Sequence, residues 1–455
     1  MRRSLDSLRS LGMTTSLEQI SISRWTIESL EVTMNPSVQH LCEFLDASPS
    51  VYHAVAFLEN MLSSAGYNRL RLGERWSLAP GGKYYLTRGG SAVLAFRIPE
   101  GDCRGFAISA SHSDRPCFKL KENPELPGTY TRLAVERYGG MLMAPWLDRP
   151  LSLAGRVLVE TEKGLESRLV NIDRDLLLIP NVAIHMNRQA NDGYKWNPAV
   201  DLLPLLGGKD AAGKLMSLLE QAAGGKILGS DLYLYVREKA RVWGMEEEFL
   251  SAPALDDLEC AWGCTRGFLA SEDSDVIPVL AVFDSEEVGS NSVQGAASTL
   301  LADTLERICA ALDLAKGELL SRSFLVSADN AHAVHPNHPE YADPGNAPVL
   351  NSGPVLKFNA AQRYTTDGFS AAVFRRVCGK AGVKVQTYCN RADIAGGSTL
   401  GHISLTQVSI PTADIGLAQL AMHSCYETAG VRDALALEKA MTAFYGIPAS
   451  ELAVD

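Results

Sequence analysis

No stretch of this chain approaches the roughly 18 consecutive apolar residues that a membrane-crossing helix requires, so nothing in it argues for a membrane partner. Paired cysteine motifs are missing as well: the nine cysteines are scattered and odd in number, without a CxxC, and Cys260 and Cys264 are separated by three residues. That pattern builds neither a thiolate zinc site nor a disulfide framework. It fits a reduced, cytoplasmic setting in which thiols serve as small apolar side chains. Basic stripes are also lacking. The net charge is −11, and no Lys/Arg run is interleaved with aromatics, which argues against nucleic acid as a partner. No internal repeat or low-complexity tract is visible. What is abundant is apolar residue, 46% of 455, enough for one large domain plus an insertion.

Against that background one segment carries the most information. Asp284-Ser285-Glu286-Glu287-Val288-Gly289-Ser290 follows the apolar run Val279–Phe283. Adjacent carboxylates at the end of a buried strand repel one another and are costly to desolvate unless something uses them. Metal-dependent hydrolysis needs such a pair, one carboxylate to coordinate a cation and its neighbour to take a proton from the attacking water. Alone, Glu-Glu reads as two surface acids on a loop.

It does not stand alone. Ile108–Asp114 (ISASHSD) follows the strand-like run Ala92–Phe96 after a turn-rich interval. It sets His112 two residues from Asp114, a carboxylate able to fix the tautomer of a ligating imidazole. Ala254-Leu255-Asp256-Asp257-Leu258 adds an acid pair beside a predicted helix through Glu259–Trp262. Phe324–Asp329 ends another apolar strand in an acid, and His423 follows a small-residue stretch. Acids and histidines at several strand ends are expected at the carboxyl edge of an open α/β sheet, where ligands gather. Together they point to a two-metal hydrolase. His332, His335 and His338 recur every third residue, but Pro336 and Pro339 break any helix that could present them together. They read as loop residues around the site. His40, His53 and His402 have no metal-like neighbours in sequence and read as structural.

In these segments the chain resembles the aspartyl aminopeptidase family of di-zinc metalloaminopeptidases. The resemblance runs in order from about Met34 to near the C-terminus, through SASHSDRP (109–116), IPNVAIH (179–185), ALDDL (254–258), DSEEVGS (284–290), SADNAHAVHPN (327–337), GPVLKFNAAQRY (353–364) and AMHS (421–424). It implies an α/β fold, with a phosphorylase/hydrolase-like catalytic domain whose mixed sheet is flanked by helices. It implies that Asp256 bridges two cations, His112 and Asp329 completing one site and Glu287 and His423 the other. Glu286 would be the general base, delivering its proton later to the leaving amine, with Asp114 behind His112 and a cis bond between Asp256 and Asp257. The implied cofactors are two divalent ions, zinc first, with manganese or cobalt as alternatives; imidazole and carboxylate ligands suit all three. His185, in the strand-like Pro180–His185, would be presented to a neighbouring subunit's site to stabilise the reacting carbonyl. Self-association into a homododecamer built from dimers follows from the same resemblance.

The implied substrates are peptides with a free N-terminus. An acidic first residue would need a cation in the pocket, and Lys357 and Arg363 are the candidates, Lys357 favoured because it sits in the apolar run Val355–Phe358. Tyr364 would close the pocket or donate a hydrogen bond. Residues 122–243 hold little besides His185 that looks chemical, while runs such as Gly155–Glu160 and Asp231–Val236 alternate with Gly-rich turns. They read as a β-rich oligomerisation domain inserted into a catalytic domain of residues 34–121 and 244–455. Apolar spacing predicts a helix over Ala302–Ala315. Residues 1–33 lie outside the resemblance and read as an extension: an upstream start-codon choice, a disordered leader or a short interface arm. Their acids argue against a transit peptide, while a targeting or assembly role is the alternative because some relatives carry N-terminal propeptides. Two other functions fit parts of this pattern. A glycoside hydrolase needs its two carboxyl groups about 5–9.5 Å apart across a sugar, which adjacent residues rarely supply. An assembled scaffold or cargo-binding protein with a structural metal site is the non-enzymatic alternative.

Overall fold

The computed structural model describes residues 34–452 apart from 395 and 398. The N-terminal extension expected for residues 1–33 lies outside the described residues. A mixed nine-stranded sheet forms the centre of the fold. Strand Gly105–His112 lies between Val276–Phe283 and Phe324–Ala328 and is parallel to both, with Thr412–Gly416 continuing the parallel set. Ala92–Arg97 on one side runs antiparallel to Val276–Phe283, and Val355–Phe358 on the other runs antiparallel to Thr412–Gly416.

The near-continuous apolar runs of these strands follow from burial on both faces. In the strand Ala92–Arg97, Val93 and Ala95 enter one core with Leu255, Trp262 and Phe444, while Leu94 and Phe96 enter a second core with Leu301, Leu305 and Ile308. The first core seats helices Leu255–Ala270 and Val431–Tyr445. The second seats Leu300–Leu312, shorter than the span predicted because Asp313 takes a left-handed backbone (φ 54°) and ends it.

Between these central strands, a six-stranded antiparallel sheet runs from Cys117 to Val236 and holds its own core of Phe118, Trp146, Leu153 and Leu232 beneath helix Leu215–Ala223. The runs at 155–160 and 231–236 pair antiparallel within it. Pro180–His185 is not the strand its sequence suggests. Only isolated bridges occur just before it, at Leu177, Leu178 and Ile179. Pro180 has no N–H to give a ladder, and Asn181 binds the Asp148 carboxylate through both its N–H (2.9 Å) and its side chain (2.7 Å), so the chain leaves as an exposed turn.

A third sheet of five short strands, including Phe249–Ala252, Ala418–Leu420 and Glu427–Gly430, sits beside the carboxyl edge of the central sheet. Among the described residues no helix is long and apolar enough to cross a membrane, and all nine cysteines are free.

Candidate metal centre

The three adjacent parallel strands end in His112, in the Asp284–Glu287 turn and in Asp329, so the sheet order alone brings these groups together. The helix beginning at Leu255 presents Asp256 and Asp257 from the side, across a cis Asp256–Asp257 bond. The turn between Ala418–Leu420 and Glu427–Gly430 presents His423. Four non-glycine residues in these turns take left-handed backbone: Ala254 (φ 60°), Ser285 (φ 66°), Ala421 (φ 57°) and His423 (φ 65°). Strain of this kind is retained where surrounding contacts over-determine it, and it clusters at functional sites. Gly416 serves the same crowding, for a Cβ there would collide with the Asp329 carbonyl oxygen.

Asp256 has one histidine on each oxygen. Its Oδ1 lies 3.6 Å from His112 Nε2 and its Oδ2 lies 3.5 Å from His423 Nε2, while Glu287 Oε2 lies 3.4 Å from the same His423 nitrogen. These separations exceed good hydrogen bonds. They match the spacing of about 3.3–3.6 Å between ligand atoms that each sit about 2.0–2.2 Å from a tetrahedral zinc ion. Asp256 Oδ1, Asp257 Oδ1 and Glu287 Oε1 are buried without a hydrogen-bond partner, as unused ligand atoms would be. His112, Asp256, Asp257 and Asp329 form one group close enough to hold an ion, and Asp256, Glu287 and His423 form another. A third grouping joins His112 to Glu286 and Glu287. The donor set therefore fits one or two borderline-hard cations.

Electrostatics point the same way. Burial, then the Asp329 carboxylate, pushes Glu286 up to about 8. Burial, then Asp256, holds Glu287 well above the carboxylate range. Burial raises Asp329 to about 6 despite the Lys357 cation beside it, and burial followed by Asp114 raises Asp284 to about 7. Asp256 is the exception: burial raises it, but contacts with His112 and His423 outweigh that and leave it below its usual value. So many carboxyl groups held upward describe a cluster carrying more negative charge than it can ionise alone, a condition that a bound cation relieves.

Asp114 organises one side. It lies 3.3 Å from His112 Nδ1 and accepts the backbone N–H groups of Glu286 (3.1 Å) and Glu287 (3.2 Å) and the Tyr138 hydroxyl (2.8 Å). Asp257 accepts the His112 N–H at 3.1 Å. Above these groups opens a cavity of about 160 Å³, whose walls include Glu286, Asn330, His332, Lys357, Tyr364, Tyr388 and Met422. Lys357 is buried there. It donates to the Asp329 (2.6 Å) and Asn330 (3.2 Å) carbonyls, and Tyr364 lies under its ammonium at 5.2 Å. Arg363 is exposed, donates to the Gly396 carbonyl and is not among the cavity walls. His185 is exposed and likewise absent from those walls. Of the recurring histidines, His332 lines the cavity, while His335 and His338 lie against one another in the loop beyond. His40, His53 and His402 hydrogen-bond to Trp262, Ser50 and Thr399.

Two groups were not legible beforehand. Tyr138 reaches Asp114 from the six-stranded sheet, and Glu427 accepts the backbone N–H groups of both Asp256 (3.0 Å) and His423 (2.7 Å). Neither sits in a motif; only the sheet register brings them in.

Comparison with known proteins adds the following. A family model described as "Aminopeptidase I zinc metalloprotease (M18)" matches residues 44–445. A "Probable M18 family aminopeptidase 2" of Clostridium novyi is 43% identical over 423 residues, spanning 90% of this chain and 98% of that protein. One from Pseudomonas aeruginosa is 41% identical over 421 residues, 90% of this chain and 97% of its own length. The structure of the Ape4 and Nbr1 complex superposes with a TM-score of 0.88 at 34% identity, covering 92% of this chain and 87% of its own. The S. cerevisiae mApe1 dodecamer superposes at 0.79 with 27% identity, covering 90% and 96%.

Proposed function

The chain belongs to the M18 family of zinc aminopeptidases, and from that premise we propose that it removes N-terminal residues, acidic ones by preference, from peptides with a free N-terminus, using two zinc ions. The observation that carries the two-ion reading is Asp256, each of whose oxygens faces a different histidine. In this reading Asp256 would serve both ions, His112 and Asp329 would hold one, and Glu287 and His423 would hold the other. When bound, the ions supply Lewis acidity and bring the pKa of a water toward about 7. The protein supplies the rest. Glu286 accepts the proton of the attacking water and returns it to the departing amine. Asp114 fixes the His112 ring and, through two N–H contacts, the turn that aims Glu286.

The catalytic domain, of phosphorylase/hydrolase type, comprises residues 34–121 and 244–455, with residues 122–243 inserted for assembly. That assembly is a homododecamer built from dimers; the S. cerevisiae neighbour mApe1 is a dodecamer. His185 reaches a neighbouring subunit's site. In support, His185 stands in a turn whose Val182, Ile184 and Met186 are 51%, 47% and 85% exposed, apolar surface that a partner would cover. Native mass spectrometry reads this directly: a twelve-fold mass is expected, and a monomer removes both the assembly and the role of His185.

An ammonium has three donors, and Lys357 spends two on main-chain carbonyls, leaving one for a substrate carboxylate. Arg363 stands outside the cavity walls, so Lys357 is the reader of acidic side chains, with Tyr364 closing the pocket. The decisive assay is hydrolysis of unblocked Asp, Glu, Leu, Met and Lys substrates before and after chelation and after adding back zinc, manganese or cobalt. Turnover is expected to vanish with chelator and to return with metal. In Lys357→Met the preference for Asp over Leu should fall about 10–100-fold, the worth of one hydrogen bond to a charged group. An unchanged ratio rejects Lys357 as the reader. Folded protein inert with every metal leaves the scaffold reading in place.

A further inference from the structure

Resting on the two-ion reading above, we propose that Glu427 is a positioning residue, one carboxylate that holds the backbones of Asp256 and His423 in mutual alignment for the ion they share. Strand pairing explains how it can reach both. Glu427 opens the strand Glu427–Gly430 and stands opposite Ala252 on Phe249–Ala252. Asp256 comes four residues after Ala252, and His423 comes four residues before Glu427, in the turn leading back from Ala418–Leu420. The side chain therefore lies between two turns that the sequence separates by more than 160 residues.

Both oxygens are used. Oε1 accepts the His423 N–H at 2.7 Å, and Oε2 accepts the Asp256 N–H at 3.0 Å. Glu427 is 1% exposed, so water does not compete for either bond. The turns it joins have left-handed backbone at Ala254, Ala421 and His423, which needs holding from outside. The atoms it aligns, Asp256 Oδ2 and His423 Nε2, are 3.5 Å apart and share a cation position with Glu287. The other position depends on Glu427 only through the shared Asp256, since the His112 N–H is taken by Asp257 and its ring faces Asp114. Loss of Glu427 thus acts more strongly on the ion near His423, which loses support at two ligands.

Glu427→Gln tests this, because the amide keeps the volume but turns a donor toward one of the two N–H groups. The measurement is zinc uptake against a competing chelator, with metal content by mass spectrometry. The unsubstituted protein should fill two sites. The variant should lose about 10–100-fold in affinity at the site shared with His423, the usual cost of removing an outer partner of a metal ligand, and clearly less at the other, which it touches only through Asp256. Its kcat should drop with KM little altered and recover in excess zinc. Glu259→Gln is the control: Glu259 is equally buried but hydrogen-bonds to no ligand backbone, so both sites should fill normally. Glu427→Asp, one methylene too short to span both N–H groups, is read in the same way if the glutamine variant does not fold. Two unchanged affinities, or equal weakening of both sites, overturn the proposal. Fewer than two ions in the unsubstituted protein overturns the two-ion reading itself, and the two failures are therefore distinguishable.

Discussion

Glu286→Gln should lower kcat on an unblocked aminoacyl substrate by about 10²–10⁴-fold, the range supplied by a positioned general base, with zinc content and assembly as in the unsubstituted protein. Glu286 lines the cavity, on a turn fixed by its own N–H to Asp114 at 3.1 Å, and its carboxyl group belongs to a cluster in which burial and then Asp329 push it up to about 8. A base is useful when its pKa lies near the working pH, and nearby cations shift it downward from that raised value, toward neutrality. Glutamine has the same shape and cannot accept the proton. Metal content is the critical control, because Glu286 also falls in a grouping with His112 and Glu287 that could hold an ion. A variant that loses zinc along with rate would make Glu286 a ligand, and one that keeps full rate would remove it from the chemistry.

How much of this site can be read before folding is decided by sheet order. His112, Glu286, Glu287 and Asp329 end three strands whose apolar runs are long enough to recognise, and the edge they share is set by those strands being neighbours in parallel. Asp256 and His423 reach the same edge from a helix start and a short hairpin, and their segments stood out through local composition. Glu427 had no such signal. It occupies a four-residue strand, and its importance comes from a pairing with Ala252 that no local pattern encodes. Tyr138 was hidden for the same reason, as one alternating residue in a sheet whose connection to the centre is tertiary. The segment before His185 misled in the opposite direction: Val182, Ala183 and Ile184 have strand-like composition, but Pro180 and the Asn181–Asp148 contacts divert the chain. Lys357 was legible as a buried cation. That two of its donors are spent on the carbonyls of Asp329 and Asn330 was not, because main-chain partners leave no mark in side-chain pattern.

Glu287→Gln should give the opposite signature from its neighbour, with zinc lost first and rate lost as a consequence. Glu287 Oε2 stands 3.4 Å from His423 Nε2 and its Oε1 is buried without a partner, the arrangement of a ligand and not of a proton carrier. Dividing the roughly 10–16 kcal/mol of a four-ligand zinc site evenly gives about 3 kcal/mol per ligand, or about 10²-fold in affinity. Turnover at limiting zinc should fall by about 10³-fold or more, since a bound ion contributes several kcal/mol of charge stabilisation. Thermal unfolding separates this from a damaged fold. Without metal, burial and then Asp256 raise the Glu287 carboxyl and so favour its uncharged form, which glutamine imitates in shape and charge. The two proteins should therefore melt together in chelator. In zinc they should part, because a ligand at 100 times its Kd stabilises the folded state by about 2.7 kcal/mol and the variant forfeits most of that at the altered site. Equal zinc-induced stabilisation of both proteins would exclude Glu287 from the ligand set, whereas a lower midpoint already present in chelator would assign it a structural role instead.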